Sequence, residues 1–139
     1  MTDKINEEYV SFETAKLLKE KGFDESCYQK YDNEGYLSFN HVGYINNEKS
    51  CDDFYALAPT LQMAMKWLRE VHNLHVDSSI YIDIEGDSEH EYTYTYWDWT
   101  IFNSESGRII AEPQIGCGRY DSYEQACEAA IKYCLENLI

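Results

Sequence analysis

The first stretch with a clear hydrophobic pattern is "SFETAKLLKEKGF". Its apolar residues recur at helical spacing: Phe12, Ala15 and Leu18. Ser11 precedes them and suits the N-terminal cap, where its side chain accepts a backbone hydrogen bond. Gly22 follows the last apolar position and favours a Schellman-type ending, in which Phe23 packs back onto the helix. The stretch predicts a short amphipathic helix that is capped at both ends.

Two further stretches have the same helical period. In "APTLQMAMKWLREVHN" the apolar stripe consists of Leu61, Ala64, Met65, Leu68 and Val71. Pro59 suits the first turn of that helix, where no backbone N–H is needed. In "SYEQACEAAIKYCLENLI" the stripe consists of Cys127, Ala130, Ile131, Cys134 and Leu138. Ser122 and Gln125 have the spacing of a capping box, and Glu128 and Lys132 have a spacing that allows an ion pair across one turn.

The segments between these helices have the patterns of β-strands. In "CYQKYDNEGYLSFNHVGYI" two β-prone runs flank the turn-forming residues 32–35, which predicts a hairpin within 27–55. "LHVDSSIYIDIE" alternates strictly, and its apolar set is Leu74, Val76, Ile80, Ile82 and Ile84. That set predicts a strand with one dry face, packed against an apolar surface. The loops "GDSEH" and "NSESG" then connect three strands into an antiparallel meander that ends with "RIIAE".

The middle strand of this meander, "EYTYTYWDWTIF", changes the parity of its aromatic residues. Its tyrosines are at even positions, whereas Trp97 and Trp99 are at odd ones. Either a β-bulge near Tyr96 shifts the register, or a regular strand turns its tyrosines to solvent and its tryptophans to the helices. Base stacking on the tyrosines would need cationic neighbours, and this stretch contains none. Sheet packing therefore explains the pattern better than base stacking does. A protein-binding surface ranks between these two interpretations, because Tyr and Trp are also favoured at interfaces.

These elements predict a single α+β domain over residues 1–139, in the order α-β-β-α-β-β-β-α. Its antiparallel sheet carries amphipathic helices packed on one face, because each element has one apolar face to bury. The length of 139 residues and the 44% hydrophobic content suffice for a core without disulfides. Neither a membrane-spanning run nor a signal peptide is present in the pattern, which predicts a cytoplasmic protein without membrane contact.

Charge and cysteine content narrow the functions. The net charge of -15 disfavours direct nucleic-acid binding, because that binding depends on clusters of Lys and Arg. Between residues 70 and 107 there is no Lys or Arg, but there are nine carboxylates: Glu70, Asp77, Asp83, Glu85, Asp87, Glu89, Glu91, Asp98 and Glu105. Five cysteines without framework spacing indicate reduced thiols. Because the chain is acidic, any protein partner is expected to be basic. The sequence leaves two oligomeric states open, a monomer and a homodimer.

Candidate chemistry is sparse, and the sequence predicts no catalytic residue, metal ligand or cofactor. His72 and His75 have a metal-compatible spacing but lack a third ligand nearby. The run "DIEGDSEHE" is rich in oxygen ligands, yet its glycine is fourth from Asp83 and not sixth, as an EF-hand loop requires. Cys51 and Cys117 lie in loop-like surroundings without a specified base. "GCGRY" matches no phosphate-binding spacing.

Three segments taken together resemble small uncharacterised proteins of gut-bacterial phages and prophages. They are "FETAKLLKEKGF", "APTLQMAMKWLREVHNLHV" and "DSYEQACEAAIKYCLENLI", and the resemblance covers about half of the chain. It implies an accessory protein in an infected or lysogenic cell. It implies no activity and no site residues.

The sequence therefore predicts a non-enzymatic interaction protein. Its candidate surface consists of Asp83, Glu85, Asp87, Glu89, Glu91, Tyr92, Tyr94 and Tyr96. A sharper version is a DNA-mimicking inhibitor, in which these carboxylates occupy the basic groove of a host nucleic-acid enzyme. The alternative is a ligand-binding domain or small enzyme with a pocket between sheet and helices.

Overall fold

The computed structural model describes residues 5–39, 56–114 and 118–139. Its helices are α1 (Phe12–Glu20), α2 (Leu61–His72) and α3 (Tyr123–Asn137). Its strands are β1 (Gln29–Tyr31), β2 (Leu37–Phe39), β3 (Ala56–Leu57), β4 (Leu74–Gly86), β5 (Glu91–Asn103) and β6 (Ile109–Ala111). The predicted α+β class and the predicted helices and hairpins are confirmed. The short strand β3 precedes α2 as an additional element.

The strands form two antiparallel sheets of three strands each. In the first sheet β1 lies between β2 and β3, and the predicted turn at residues 32–35 connects β1 to β2. Asp32 stabilises this turn by accepting backbone hydrogen bonds from Glu34 and Tyr36. In the second sheet β5 lies between β4 and β6, as the predicted meander requires. The part of the predicted hairpin beyond Phe39 lies outside the described residues.

The predicted ends of α1 are both present. The Ser11 side chain accepts a hydrogen bond from the Thr14 N–H, which caps the first turn. At the other end Gly22 has φ +90, and the Phe23 N–H donates to the Leu18 carbonyl at 2.9 Å. This is the Schellman geometry, and it places the Phe23 side chain in the core.

The other two helices differ from the prediction in their details. Thr60 caps α2, so that Pro59 precedes the helix and, contrary to the prediction, does not lie in its first turn. Val71 is 55% exposed, whereas Trp67 is buried against Phe23, because the apolar stripe of α2 does not extend into its last turn. Ser122 caps α3 as predicted, by accepting from the Gln125 N–H.

The ion pair that the spacing of Glu128 and Lys132 allows is not formed. Glu128 accepts hydrogen bonds from the Ser11 N–H at 3.0 Å and from the Thr14 hydroxyl at 2.6 Å. Lys132 pairs with Glu13 at 2.9 Å instead. Both side chains therefore join α3 to the start of α1, because tertiary partners outcompete the weak pairing within one helix.

One cluster of buried side chains connects the three helices and the two sheets. Its members include Leu18, Leu57, Leu68, Ile101 and Ile131. Helices α2 and α3 pack against β4, and α3 also packs against β5. Buried residues occur at the start of β4 and at the end of β5, which are opposed in the hairpin. The two helices therefore cover only this half of the β4–β5 pair. We call this the proximal half, and the half near Gly86 the distal half.

Candidate functional site

The register between β4 and β5 decides between the two readings of the aromatic stretch. Thirteen consecutive residue pairs run from Leu74–Asn103 to Gly86–Glu91 without a shift. The strand is therefore regular, and no bulge separates Tyr96 from Trp97 in this pairing. Trp99 is buried and packs on Tyr133 of α3, and the Trp97 ring contacts Tyr123 of the same helix. The tyrosines of β5 consequently lie on the opposite face of the sheet.

Opposed residues of an antiparallel pair share a face, so the distal hairpin has one face built from tyrosines and carboxylates. We call it the tyrosine–carboxylate face, and its members are Tyr81, Asp83, Glu85, Tyr92, Tyr94 and Tyr96. The rings of Tyr81 and Tyr96 are stacked, with centroids 5.5 Å apart and an interplanar angle of 17°. The Tyr94 ring lies 6.3 Å from that of Tyr96. The rings of Tyr81, Tyr96 and Tyr94 therefore form a continuous surface.

Hydrogen bonds connect the tyrosine hydroxyls to the carboxylates of this face. The Tyr94 hydroxyl lies 3.2 Å from an Asp83 oxygen and 3.1 Å from a Glu85 oxygen and shares its one proton between them, and Tyr92 donates to Glu85 at 3.0 Å. Desolvation and these two acceptors raise the pKa of Tyr94 to about 12. The hydrogen bond to Glu85 raises the pKa of Tyr92 as well. The hydroxyls thus remain neutral donors at physiological pH and hold the two carboxylates in place.

Arg119 adds a cation to this face from a distant part of the chain. Tyr120 pairs with Trp97 on the outer side of β5, and this bridge places the preceding arginine beside the tyrosines. The Arg119 guanidinium forms an ion pair with Asp83 at 3.0 Å and a hydrogen bond with the Tyr94 hydroxyl. It lies 4.8 Å above the centroid of the Tyr96 ring, which is cation–π geometry.

Sequence reasoning did not find this arginine. It lies 25 residues from Tyr94 along the chain, inside the segment "GCGRY". The only signal in the sequence is that Arg119 is the one basic residue between Arg108 and Lys132. The absence of a cation near the tyrosines is therefore true of the sequence stretch and wrong for the folded surface.

The structure brings together five of the eight predicted surface residues. Asp83, Glu85, Tyr92, Tyr94 and Tyr96 share the tyrosine–carboxylate face. The other three, Asp87, Glu89 and Glu91, lie at the tip of the hairpin and are exposed. Strand alternation places Glu91 on the opposite face, because its register partner is Gly86 and the odd-numbered Thr93 and Thr95 oppose Ile84 and Ile82. These three residues do not join the face.

The tip of the hairpin uses its acidic groups for its own geometry. Asp87 accepts backbone hydrogen bonds from Glu89 at 2.9 Å and from His90 at 2.8 Å, which lower the pKa of its carboxyl group. Gly86 has φ +112, and a β-carbon there would lie 1.8 Å from the carbonyl oxygen of His90. Within residues 5–39, 56–114 and 118–139, no group of three His, Cys, Asp or Glu is arranged to hold a metal ion.

The opposite face of the distal hairpin is apolar and exposed. Ile80, Ile82 and Ile84 are 55%, 71% and 61% exposed, and Thr93 and Thr95 oppose the last two of them. We call these five residues the isoleucine face. The predicted dry face of β4 is therefore wrong beyond Val76, because the helices end before they reach these residues.

The cysteines and histidines of the described segments do not form a catalytic pair. Cys27, Cys127 and Cys134 are free and buried, as expected for reduced thiols. Burial, together with the charge of Glu25, raises the pKa of Cys27 to about 12, so that this thiol is not a nucleophile near neutral pH. His72 packs on Trp67, with ring centroids 4.7 Å apart. Cys51 and Cys117 lie outside the described residues.

Three cavities adjoin the start of α2 within the described residues, and two of them contain a thiol or a carboxylate–lysine pair. One, of about 190 Å³, is lined mainly by apolar groups and by the inert Cys27. The other, of about 430 Å³, lies between α3 and the segment before α1 and is lined by Glu124, Glu128 and Lys132 among others. Glu128 and Lys132 are already engaged in the contacts with α1. The pair Glu128 and Lys132 therefore holds α3 to α1 and is not free for acid–base chemistry.

Comparisons with known proteins add no relative. The chain matches no protein-family model, no curated protein and no solved structure. The resemblance to phage proteins therefore stays a prediction. Among the described residues, no helix has both the length and the apolar character needed to cross a bilayer.

Proposed function

We propose that this protein is a non-enzymatic interaction protein that binds a basic protein partner through its tyrosine–carboxylate face. In this proposal the Asp83 and Glu85 carboxylates form ion pairs with cationic side chains of the partner. The neighbouring tyrosine rings stack against the same cationic side chains. The proposed setting is the cytoplasm of a phage-infected or lysogenic cell, where the protein serves as an accessory factor.

The observation that carries this proposal is the position of Arg119. A guanidinium group already occupies part of the face, with one carboxylate and two tyrosine rings as neighbours. It therefore acts as an internal example of the ligand chemistry that the face accepts. Arginine suits such a site because its planar group combines ion pairing with stacking on aromatic rings.

Stability alone does not account for this arrangement. The Arg119 and Asp83 side chains are 42% and 35% exposed, and ion pairs at such positions contribute at most about 1 kcal/mol. Glu85 carries no cationic partner within the described residues, although two tyrosine hydroxyls orient it. Exposed tyrosine rings are typical of a binding surface, and an oriented carboxylate beside them offers a strong acceptor to a cationic side chain.

The DNA-mimicking version is a narrower form of the same proposal. It assigns the basic partner to the nucleic-acid enzymes, and it predicts that short duplex DNA displaces the protein from that partner. The tyrosine hydroxyls tie Asp83 and Glu85 to fixed positions, and this supports recognition of individual cationic side chains more than imitation of a phosphate backbone.

A direct binding measurement tests the proposal with a defined probe. The probe is a fluorescent seven-residue peptide that contains four arginines, and anisotropy at low salt gives its Kd. We expect the double variant Asp83→Asn/Glu85→Gln to raise this Kd at least tenfold, since it removes both carboxylate charges and preserves side-chain shape. The matched control Glu7→Gln/Glu20→Gln removes the same charge from exposed residues elsewhere.

The control variant is expected to change the Kd less than twofold. The variant Arg119→Gln is expected to lower the Kd severalfold, because it removes the internal guanidinium that competes with the peptide. An equal loss of peptide affinity in Asp83→Asn/Glu85→Gln and Glu7→Gln/Glu20→Gln would contradict the proposal. Binding would then depend on the net charge and not on this face. Weaker binding of the peptide by Arg119→Gln would contradict the role of Arg119 as an internal ligand.

A further inference from the structure

The direction of the β4 backbone groups follows from the contacts of β5. Trp97 exchanges two hydrogen bonds of 2.8 Å with Tyr120, so that its N–H and C=O point away from β4. Its register partner in β4 is Ile80. Opposed residues of an antiparallel pair exchange either both hydrogen bonds or none. The N–H and C=O of Ile80 therefore point to the outer edge of β4, and the same holds for Ile82 and Ile84 at every second position.

This outer edge is not occupied by any described strand. β4 is the first strand of its sheet, and β5 is its only partner among residues 5–39, 56–114 and 118–139. The Ile84 N–H is satisfied locally by the Asp83 side chain at 3.0 Å. For the outward groups of Ile80 and Ile82, the described residues provide no hydrogen-bond partner.

Several of the usual protections of a sheet edge are missing from the distal part of β4. Natural edge strands commonly carry lysine, proline or a bulge, which prevent the addition of another strand. Residues 80–86 contain neither lysine nor proline, and the register with β5 has no bulge. Their charged side chains are two carboxylates, Asp83 and Glu85, which repel an acidic strand but attract a basic one.

A strand added at this edge would have two different environments for its side chains. Every second residue would lie beside the exposed Ile80, Ile82 and Ile84. The residues between would lie on the tyrosine–carboxylate face, near Asp83 and Glu85. Cross-strand neighbours on one face interact directly, so the favoured sequence alternates aliphatic and basic residues.

We infer that the basic partner binds as an extended segment that adds one strand to the outer edge of β4, with aliphatic and basic residues in alternation. This inference rests on the proposed function and specifies the form of the partner. The backbone of the segment pairs with the outward groups of Ile80 and Ile82. Its aliphatic residues cover the isoleucine face, and its basic residues bind the carboxylates. Seven residues match the distal edge, which is about 23 Å long.

A second copy of this chain fits the edge less well. Pairing of two β4 edges would bring the carboxylates of one copy beside those of the other, and each copy has a net charge of -15. Like charges that face each other across two strands are destabilising. The β5 edge is also less suitable, because Tyr120 occupies it at Trp97 and its distal residues on the isoleucine face are threonines.

The test uses capped seven-residue peptides of one composition, with four arginines and three valines. One peptide alternates the two residues, and its control places them in two blocks. We expect the alternating peptide to bind at least tenfold more tightly. On its binding, hydrogen exchange of the Ile80 and Ile82 amides is expected to slow, while the amides of Glu7 and Glu20 keep their rates.

Two N-methylated forms of the alternating peptide provide the matched control for backbone pairing. One carries methyl groups on the valine amides, and the other carries them on the arginine amides. Only alternate residues of an added strand bond to the edge, so one form is expected to lose binding and the other to retain it. Loss in the valine form identifies an antiparallel strand, and loss in the arginine form a parallel one.

The outcomes separate this inference from the proposed function. If the block peptide binds as tightly as the alternating one, and both weaken in Asp83→Asn/Glu85→Gln, the proposed function stands and strand addition is wrong. If no arginine peptide binds, both are wrong. Equal behaviour of the two methylated forms overturns strand addition. Protection of Ile80 and Ile82 that rises with protein concentration, without peptide, assigns the edge to a second copy and also overturns it.

Discussion

The proximal and distal halves of the β4–β5 hairpin share one continuous register and have opposite surroundings. In the proximal half, Val76 and Ile101 are opposed in the register and buried under the helices. In the distal half, Ile82 and Thr95 are opposed in the same way and lie at the surface. Alternation thus determines which residues share a face, and it does not determine whether anything covers that face.

The lengths of the elements explain the difference. A strand of 13 residues spans about 43 Å, whereas the 15 residues of α3 span about 22 Å. The start of α3 lies at the level of Ser78, whose hydroxyl donates to the Tyr123 carbonyl at 3.4 Å. The strands extend past this point, and the distal half projects as a ribbon of two strands. Such a ribbon is only marginally stable by itself, which suits a binding element.

Truncation of one isoleucine in each half breaks the comparison most directly. Ile101→Ala removes a side chain with no exposure, and we expect it to lower the free energy of unfolding by about 2–5 kcal/mol. Ile82→Ala removes a side chain that is 71% exposed, and we expect a loss of at most about 1 kcal/mol. Urea unfolding followed by circular dichroism measures both values. Similar losses in the two variants would mean that the distal face is covered in solution.

A pair of glycine substitutions tests the geometry of the distal tip. Gly86→Ala combines a positive φ with a β-carbon 1.8 Å from a backbone oxygen, so we expect a loss of about 1–3 kcal/mol in the stability of the distal hairpin. Gly107→Ala is the control, since Gly107 also has a positive φ but no atom within 4 Å of the added carbon. Hydrogen exchange of the distal β4 and β5 amides is the measurement. Equal acceleration of the exchange of these amides by Gly107→Ala would contradict the proposed role of Gly86 at the tip.

The smallest expected effect is a loss of stability at high pH that is confined to the distal half. The pKa of Tyr94 is about 12 in the folded protein, and an unfolded tyrosine has a pKa of about 10. Because the folded value is the higher one, the stabilising contribution is fully present below pH 10 and is lost as the pH rises towards 12. The distal hairpin should therefore loosen in this range before the core does.

The Tyr94 titration is measurable by NMR at its ring carbon. In Asp83→Asn/Glu85→Gln the pKa is expected to move down towards its ordinary value, because the two anionic acceptors are gone. Glu7→Gln/Glu20→Gln serves again as the control and should leave the titration unchanged. An unchanged pKa in the first variant would show that the carboxylates do not hold the Tyr94 hydroxyl in solution.

Local signals predicted the helices well. The end of α1 is an example, because Gly22 and Phe23 specify the Schellman ending from neighbouring residues alone. Signals that depend on distant residues were less reliable. The pair Glu128–Lys132 is not formed because Thr14 and Glu13 of another helix provide stronger partners, and nothing in the sequence of α3 records them.

The same distinction applies to the candidate surface. The sequence places Asp83, Glu85 and the three tyrosines of β5 on strands that pair, and a regular register then brings them to one face. Residues at the tip follow the hydrogen bonds of the turn instead, as Asp87 demonstrates. Arg119 arrives from a different segment, and only the bridge between Tyr120 and Trp97 places it beside them.

By itself, the sequence determined the α+β class, the capped helices and the two-faced alternation of the hairpin, because each depends on the spacing of neighbouring side chains and on local backbone preferences. Only the tertiary structure decided that the isoleucines of the distal half are exposed, that the β4 edge is open within the described residues, and that a guanidinium lies on the tyrosines. These three properties depend on where the helices end and which distant segments meet, and the local pattern contains no information about either.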